Sequence, residues 1–107
     1  MSNGSLAKRY ARALFSIAEE SNVVEQFNSE VSALHEALTQ NNNDLLVALT
    51  TPVFKIQERK QVAGVVADKM GLHMTVKNFI FVLLEKDRLV LLPEIASIFQ
   101  TMTDEKD

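Results

Sequence analysis

His35 and His73 are the two imidazoles this sequence offers for acid–base or metal chemistry, and neither has a companion at ligand spacing. His35 sits beside Leu34 on the flank of a helical pattern. His73 lies between Leu72 and Met74 in a connection, so both read as ordinary surface or boundary histidines. There is no Cys, and no H-E-x-x-H, G-x-S-x-G or phosphate-loop pattern occurs. No catalytic residue, cofactor-binding residue or metal ligand is therefore expected. The charge runs Glu58-Arg59-Lys60 and Glu85-Lys86-Asp87-Arg88 read as solvated helix surface or turn. Arg88 stands out among them, because a guanidinium just before Leu89 can tie carbonyls at a helix end to a carboxylate. Lys8, Arg9 and Arg12 form a basic flank on the first helix, able to steer an acidic partner segment.

The elements that carry these residues are helical. With 107 residues the chain is the size of one ordinary domain, 47% apolar and 23% charged, a globular composition with few Gly and Pro. A formal charge of −3 from interspersed acids and bases leaves no nucleic-acid footprint. The longest apolar run falls far short of the ~18 residues of a membrane span, so no membrane insertion is expected and the chain reads as a soluble intracellular domain. Ser5 and Asn22 are expected N-caps of the first two helices, with Glu25 completing a capping-box pattern. Val24, Phe27, Val31, Leu34 and Leu38 step by three and four along the second helix. Gln40 to Asn43 is polar turn chemistry before a short third helix with Leu45, Leu46 and Leu49, which Thr51-Pro52 ends. A fourth helix starts near Phe54 and stops at Gly71. Thr75 opens a fifth and Pro93 a sixth. The expectation is an all-α, six-helix bundle over residues 5–103. Residues 1–4 would be a flexible start or an expression remnant, and 104–107 a charged tail. FIFVLL and LVLL, joined by EKDR, are open to a hairpin reading, but that joint lacks the Gly or Asn that tight hairpin turns need.

Two helices have too much apolar surface. On the first, Ala13, Leu6, Ile17, Tyr10, Leu14, Ala7, Ala18, Ala11 and Phe15 follow one another over roughly 200°. In the fifth, six apolar residues run from Phe79 to Leu84. Phe79, Ile80, Leu83 and Leu84 fall with Val76 on one broad core face, while Phe81 and Val82 flank Asn78 on the other side. Such a surplus on a small domain predicts an exposed apolar patch, and a groove between the first and fifth helices suits an amphipathic partner helix. Two readings remain open on these grounds: a helical adaptor for an amphipathic peptide, and a small helical enzyme whose arginines converge on an anionic metabolite.

LAKRYARALFSIAEE resembles the A-x-x-Y-A-x-A-L-F-x-x-A opening of the delta subunit of rotary ATP synthases, the bacterial counterpart of the mitochondrial oligomycin-sensitivity-conferring protein. LLVALTTP, Lys60 and NFIFVLLEKDRLVLLPEI follow in the family's order. The resemblance implies a non-catalytic stator subunit, peripheral on the cytoplasmic face of the bacterial inner membrane, in an enzyme that turns proton or sodium flow into ATP. It implies a six-helix N-terminal domain whose groove between the first and fifth helices takes the amphipathic N-terminal helix of an alpha subunit. Tyr10, Ala13 and Val82 fall where the family's groove residues lie. Leu6, Ile17, Asn78, Phe81 and Glu85 extend the same faces by geometry. Family members continue into a C-terminal domain that meets the peripheral stalk's b subunit, a contact expected on no residue here.

Overall fold

The computed structural model describes residues 3–106. Its elements are α1 (Asn3–Glu20), α2 (Val24–Thr50), α3 (Ile56–Met70), α4 (Met74–Glu85), a 3-10 turn (Leu89–Leu91) and α5 (Leu92–Glu105). Every regular element among the described residues is helical, so FIFVLL is helix and the hairpin reading fails. The expectations for residues 1, 2 and 107 lie outside the described part. Among the described residues the assignment gives five α-helices, but α2 is two helical segments that meet at a kink, at the turn expected there. Residues expected as a third helix belong to α2 and follow an interruption of only four residues, Gln40 to Asn43, after which the helix resumes at once.

Helix ends account for most of the local structure. α1, α3 and α4 close in the same way, through paired backbone bonds around a left-handed residue. The Val23 N–H donates to the Ala18 carbonyl and Asn22 to Glu19, Leu72 to Ala67 and Gly71 to Asp68, Arg88 to Leu83 and Asp87 to Leu84. The left-handed positions are Asn22 (φ 56°), Gly71 (φ 68°) and Asp87 (φ 58°). Asn22 therefore stops α1 rather than capping α2, which corrects the capping-box expectation. α1 also begins before Ser5, so Ser5 is a first-turn residue and not a cap. α3 starts with half a capping box, as Glu58 Oε1 accepts from the Lys55 N–H at 3.0 Å while the Lys55 ammonium has nothing to accept with. α4 starts one residue before Thr75, because His73 Nδ1 accepts from the Thr75 N–H at 3.0 Å.

Asp87 carries a Cβ where only Gly is free of steric cost. Asp87→Gly is expected to raise stability by about 0.5–1 kcal/mol, read as a higher urea midpoint. Asn41, Asn42 and Asn43 hold three successive positive φ values of 51°, 60° and 65°, a conformation Asn tolerates better than other L-residues with a side chain. Asn42→Ala is expected to cost about 1 kcal/mol in the same measurement and Asn42→Gly nothing. A neutral alanine would show that position 42 is not held left-handed in solution.

The chain forms two compact units. In the first, made of α1, the start of α2 and α5, α1 packs on α5. Its small stripe of Ala7, Ala11 and Ala18 lets backbones approach closely, and Leu14, Phe27, Val31, Ile95 and Phe99 fill the core. The Phe15 and Phe99 rings meet edge-on at 5.4 Å and 65°, and Asn28 Nδ2 donates to Gln100 Oε1 at 3.0 Å. In the second, the later part of α2 joins α3 and α4 around Leu38, Leu49, Ala63, Ala67, Val76, Ile80, Leu83 and Leu84, with α3 packed on α4. Arg59 ties the end of α2 to the connection before α3. Its Nε donates to the Phe54 carbonyl at 3.0 Å and its Nη1 to Leu49 at 3.3 Å.

Candidate functional site

On α1 the buried side is Ala7, Ala11, Leu14 and Ala18, which directs the residues one step away to the surface. Leu6, Tyr10, Ala13 and Ile17 follow one another at spacings of four, three and four, so they form one stripe. Leu6 and Tyr10 are half-buried, and Ala13 and Ile17 are exposed, Ile17 at 45%. The basic residues Lys8, Arg9 and Arg12 are exposed as well.

α4 turns Val76, Ile80, Leu83 and Leu84 into the core of the second unit, and Phe79 is half-buried. Asn78, Val82 and Glu85 are exposed at spacings of four and three, giving a polar, apolar and acidic sequence along one stripe. Phe81 does not stand open with them. A Cβ built on Gly64 of α3 would lie 3.5 Å from Phe81 Cζ, so the ring covers the place where α3 has no side chain. Lys60 Nζ is 5.6 Å from the centroid of that ring and 3.3 Å from Glu85 Oε2. Thus the structure brings Phe81 and Glu85 together through a third residue from a different helix.

The metabolite-binding reading requires cations that converge on one pocket. Among the described residues no charged or polar side chain is buried, and no cluster of three His, Cys, Asp or Glu could hold a metal. An open depression of about 690 Å³ in the first unit gathers Glu25, Asp104 and Lys106, two carboxylates against one ammonium. A smaller one of about 280 Å³ in the second unit holds Arg59, whose guanidinium is already committed to carbonyls, beside Glu85 and Asp87. Neither is a convergence of cations suited to an anion.

The profile of the family described as "ATP synthase delta (OSCP) subunit" matches residues 6–107. The chain belongs to that family. Curated relatives of the delta family agree along nearly the whole chain. "ATP synthase subunit delta" of Desulfotalea psychrophila is 37% identical over 100 residues, covering 94% of this chain and 55% of the relative. The same subunit of Syntrophus aciditrophicus is 35% identical over 105 residues, covering 98% and 58%. That of Geobacter metallireducens is 33% identical over 105 residues, again covering 98% and 58%. The chain thus spans a little over half the length of these relatives.

The two stripes are not the most exposed apolar surface of the described residues. Exposure alone would not select them, for Val53 (80%), Met74 (72%), Val90 and Val65 are more exposed than Val82 at 39%. Among the described helices none is long and apolar enough to cross a membrane. Two features escaped the sequence reading. His73 as the cap of α4 had a usable signal, an acceptor side chain two residues before the Thr75 amide. The Lys60 contact had none, because 25 residues separate it from Glu85 and no periodicity within one helix reports on another.

Proposed function

We propose that this chain is the alpha-subunit-binding part of a non-catalytic peripheral-stalk subunit of a rotary, proton-transporting ATP synthase. It holds the catalytic head against rotation from the cytoplasmic face of a bacterial inner membrane. The family resemblance implies that the amphipathic N-terminal helix of an alpha subunit is bound by Leu6, Tyr10, Ala13 and Ile17 on α1 and by Asn78, Phe81, Val82 and Glu85 on α4. Contacts with the stalk's b subunit are assigned to none of these residues.

The observation that carries the reading is α4 itself. A helix that already buries Val76, Ile80, Leu83 and Leu84 on one side keeps Val82 in water on the other, between the hydrogen-bonding groups of Asn78 and Glu85. An apolar knob with polar neighbours one turn away is what an amphipathic helix recognises. Titrating the chain with a synthetic peptide of an alpha-subunit N-terminal helix tests it by calorimetry. Saturable binding that Val82→Asp or Tyr10→Asp abolishes is the expected result, and no detectable binding at high-micromolar peptide sinks the reading.

A further inference from the structure

The geometry points to Lys60 as a positioning residue for the α4 stripe, one that sets the specificity of helix binding without belonging to the stripe. This inference rests on the helix-binding reading above. Its starting point is that Lys60 reaches from α3 to two α4 residues at once, with Nζ 3.3 Å from Glu85 Oε2 and 5.6 Å from the Phe81 centroid. The two acceptors are four positions apart and bracket Val82, so a single ammonium orders both flanks of the apolar knob.

These contacts do little for folding. The bridge is exposed, at 27% for the Lys60 side chain and 56% for Glu85, and exposed ion pairs are screened. An ammonium that is itself partly in water, 5.6 Å from the centroid of the half-buried Phe81 ring, is similarly weak. Their consequence lies in the bound state. A partner helix that seats on Val82 must immobilise Glu85 and the Phe81 ring and dehydrate a carboxylate, all of which oppose binding. Lys60 meets those demands beforehand. Its ammonium lies 5.6 Å from the centroid of a ring that also rests against Gly64, and it supplies the charge that Glu85 needs when water leaves. Oε1 of Glu85 then remains to accept from a donor on the partner, which selects for a helix carrying a basic or amide side chain one turn from its apolar anchor.

The test compares the unsubstituted 107-residue chain with Lys60→Met and Lys60→Arg, using the alpha-subunit helix peptide as the probe. Lys60→Met keeps the aliphatic stem and loses the charge, and its affinity is expected to fall about threefold to tenfold. Lys60→Arg, which keeps the charge and adds a planar group able to lie on the ring, should restore binding to within about twofold. Affinities are taken at a temperature where circular dichroism shows all three fully folded, so that a purely structural role leaves them equal. In the free chain, the Lys60 ε-methylene protons should resonate upfield from the Phe81 ring current. Binding by the unsubstituted chain with equal affinity for Lys60→Met overturns the inference and leaves the helix-binding reading intact. Absence of the upfield shift, or Lys60→Arg as weak as Lys60→Met, overturns it too. No binding by the unsubstituted chain overturns the helix-binding reading and this inference with it.

Discussion

Phe99→Ala is expected to remove about 3–5 kcal/mol of stability, the largest single loss in the first unit. The side chain is fully buried, and its ring meets that of Phe15 edge-on at a centroid distance of 5.4 Å, so truncation forfeits burial, an aromatic pair and the packing around the hole. Because a domain of this size has about 5–15 kcal/mol in total, the variant stands near the limit of folding. With an m-value of about 1.5 kcal/mol/M, the urea midpoint should fall by about 2–3 M. Phe15→Ala is the comparison. That ring is half-buried, so part of it already meets water and its loss should be visibly smaller. A Phe99→Ala midpoint within about 0.5 M of the unsubstituted chain would falsify the packing of α5 on α1.

Legibility in the sequence followed the reach of each physical signal. The stripe Val24, Phe27, Val31, Leu34 and Leu38 was readable because helical periodicity is local, and all five residues are buried. Gly71 was readable because an achiral residue after an apolar run has few other uses. Asn22 was misread for the opposite reason. Asn serves equally as an N-cap and as a left-handed stop, and only the bonds from Asn22 and Val23 back to α1 decide between them. The same ambiguity hid the turn at Asp87. Phe81 was placed correctly on its helix, yet a wheel cannot know that α3 presents Gly64 and the Lys60 stem there, leaving room for a ring to lie down. Signals within a helix survive in a sequence. Signals between helices do not.

Val82→Asp is expected to weaken binding of the alpha-subunit helix by 100-fold or more while leaving the fold in place. In the free chain Val82 is 39% exposed, so an aspartate carboxylate there reaches water by a change of rotamer. Val and Asp have similar intrinsic helix propensities, and stability should change by less than about 1 kcal/mol. The bound state is different. An apolar anchor seated on position 82 would strip water from the carboxylate with no cation to replace it, since the nearby Lys60 is engaged by Glu85 and Phe81. An uncompensated charge under an apolar contact costs about 3 kcal/mol or more, which is a factor of 100 or beyond. Val82→Ala separates this from lost contact. It removes only apolar area and should cost about 1 kcal/mol or less, under tenfold. Val65→Asp supplies the second control, because Val65 is more exposed, at 54%, and lies on α3 outside the stripe. A general electrostatic effect of one added negative charge would weaken both aspartate variants alike. Only a contact centred on α4 makes Val82→Asp severe and Val65→Asp silent, and a Val82→Asp affinity within threefold of the unsubstituted chain removes α4 from the interface.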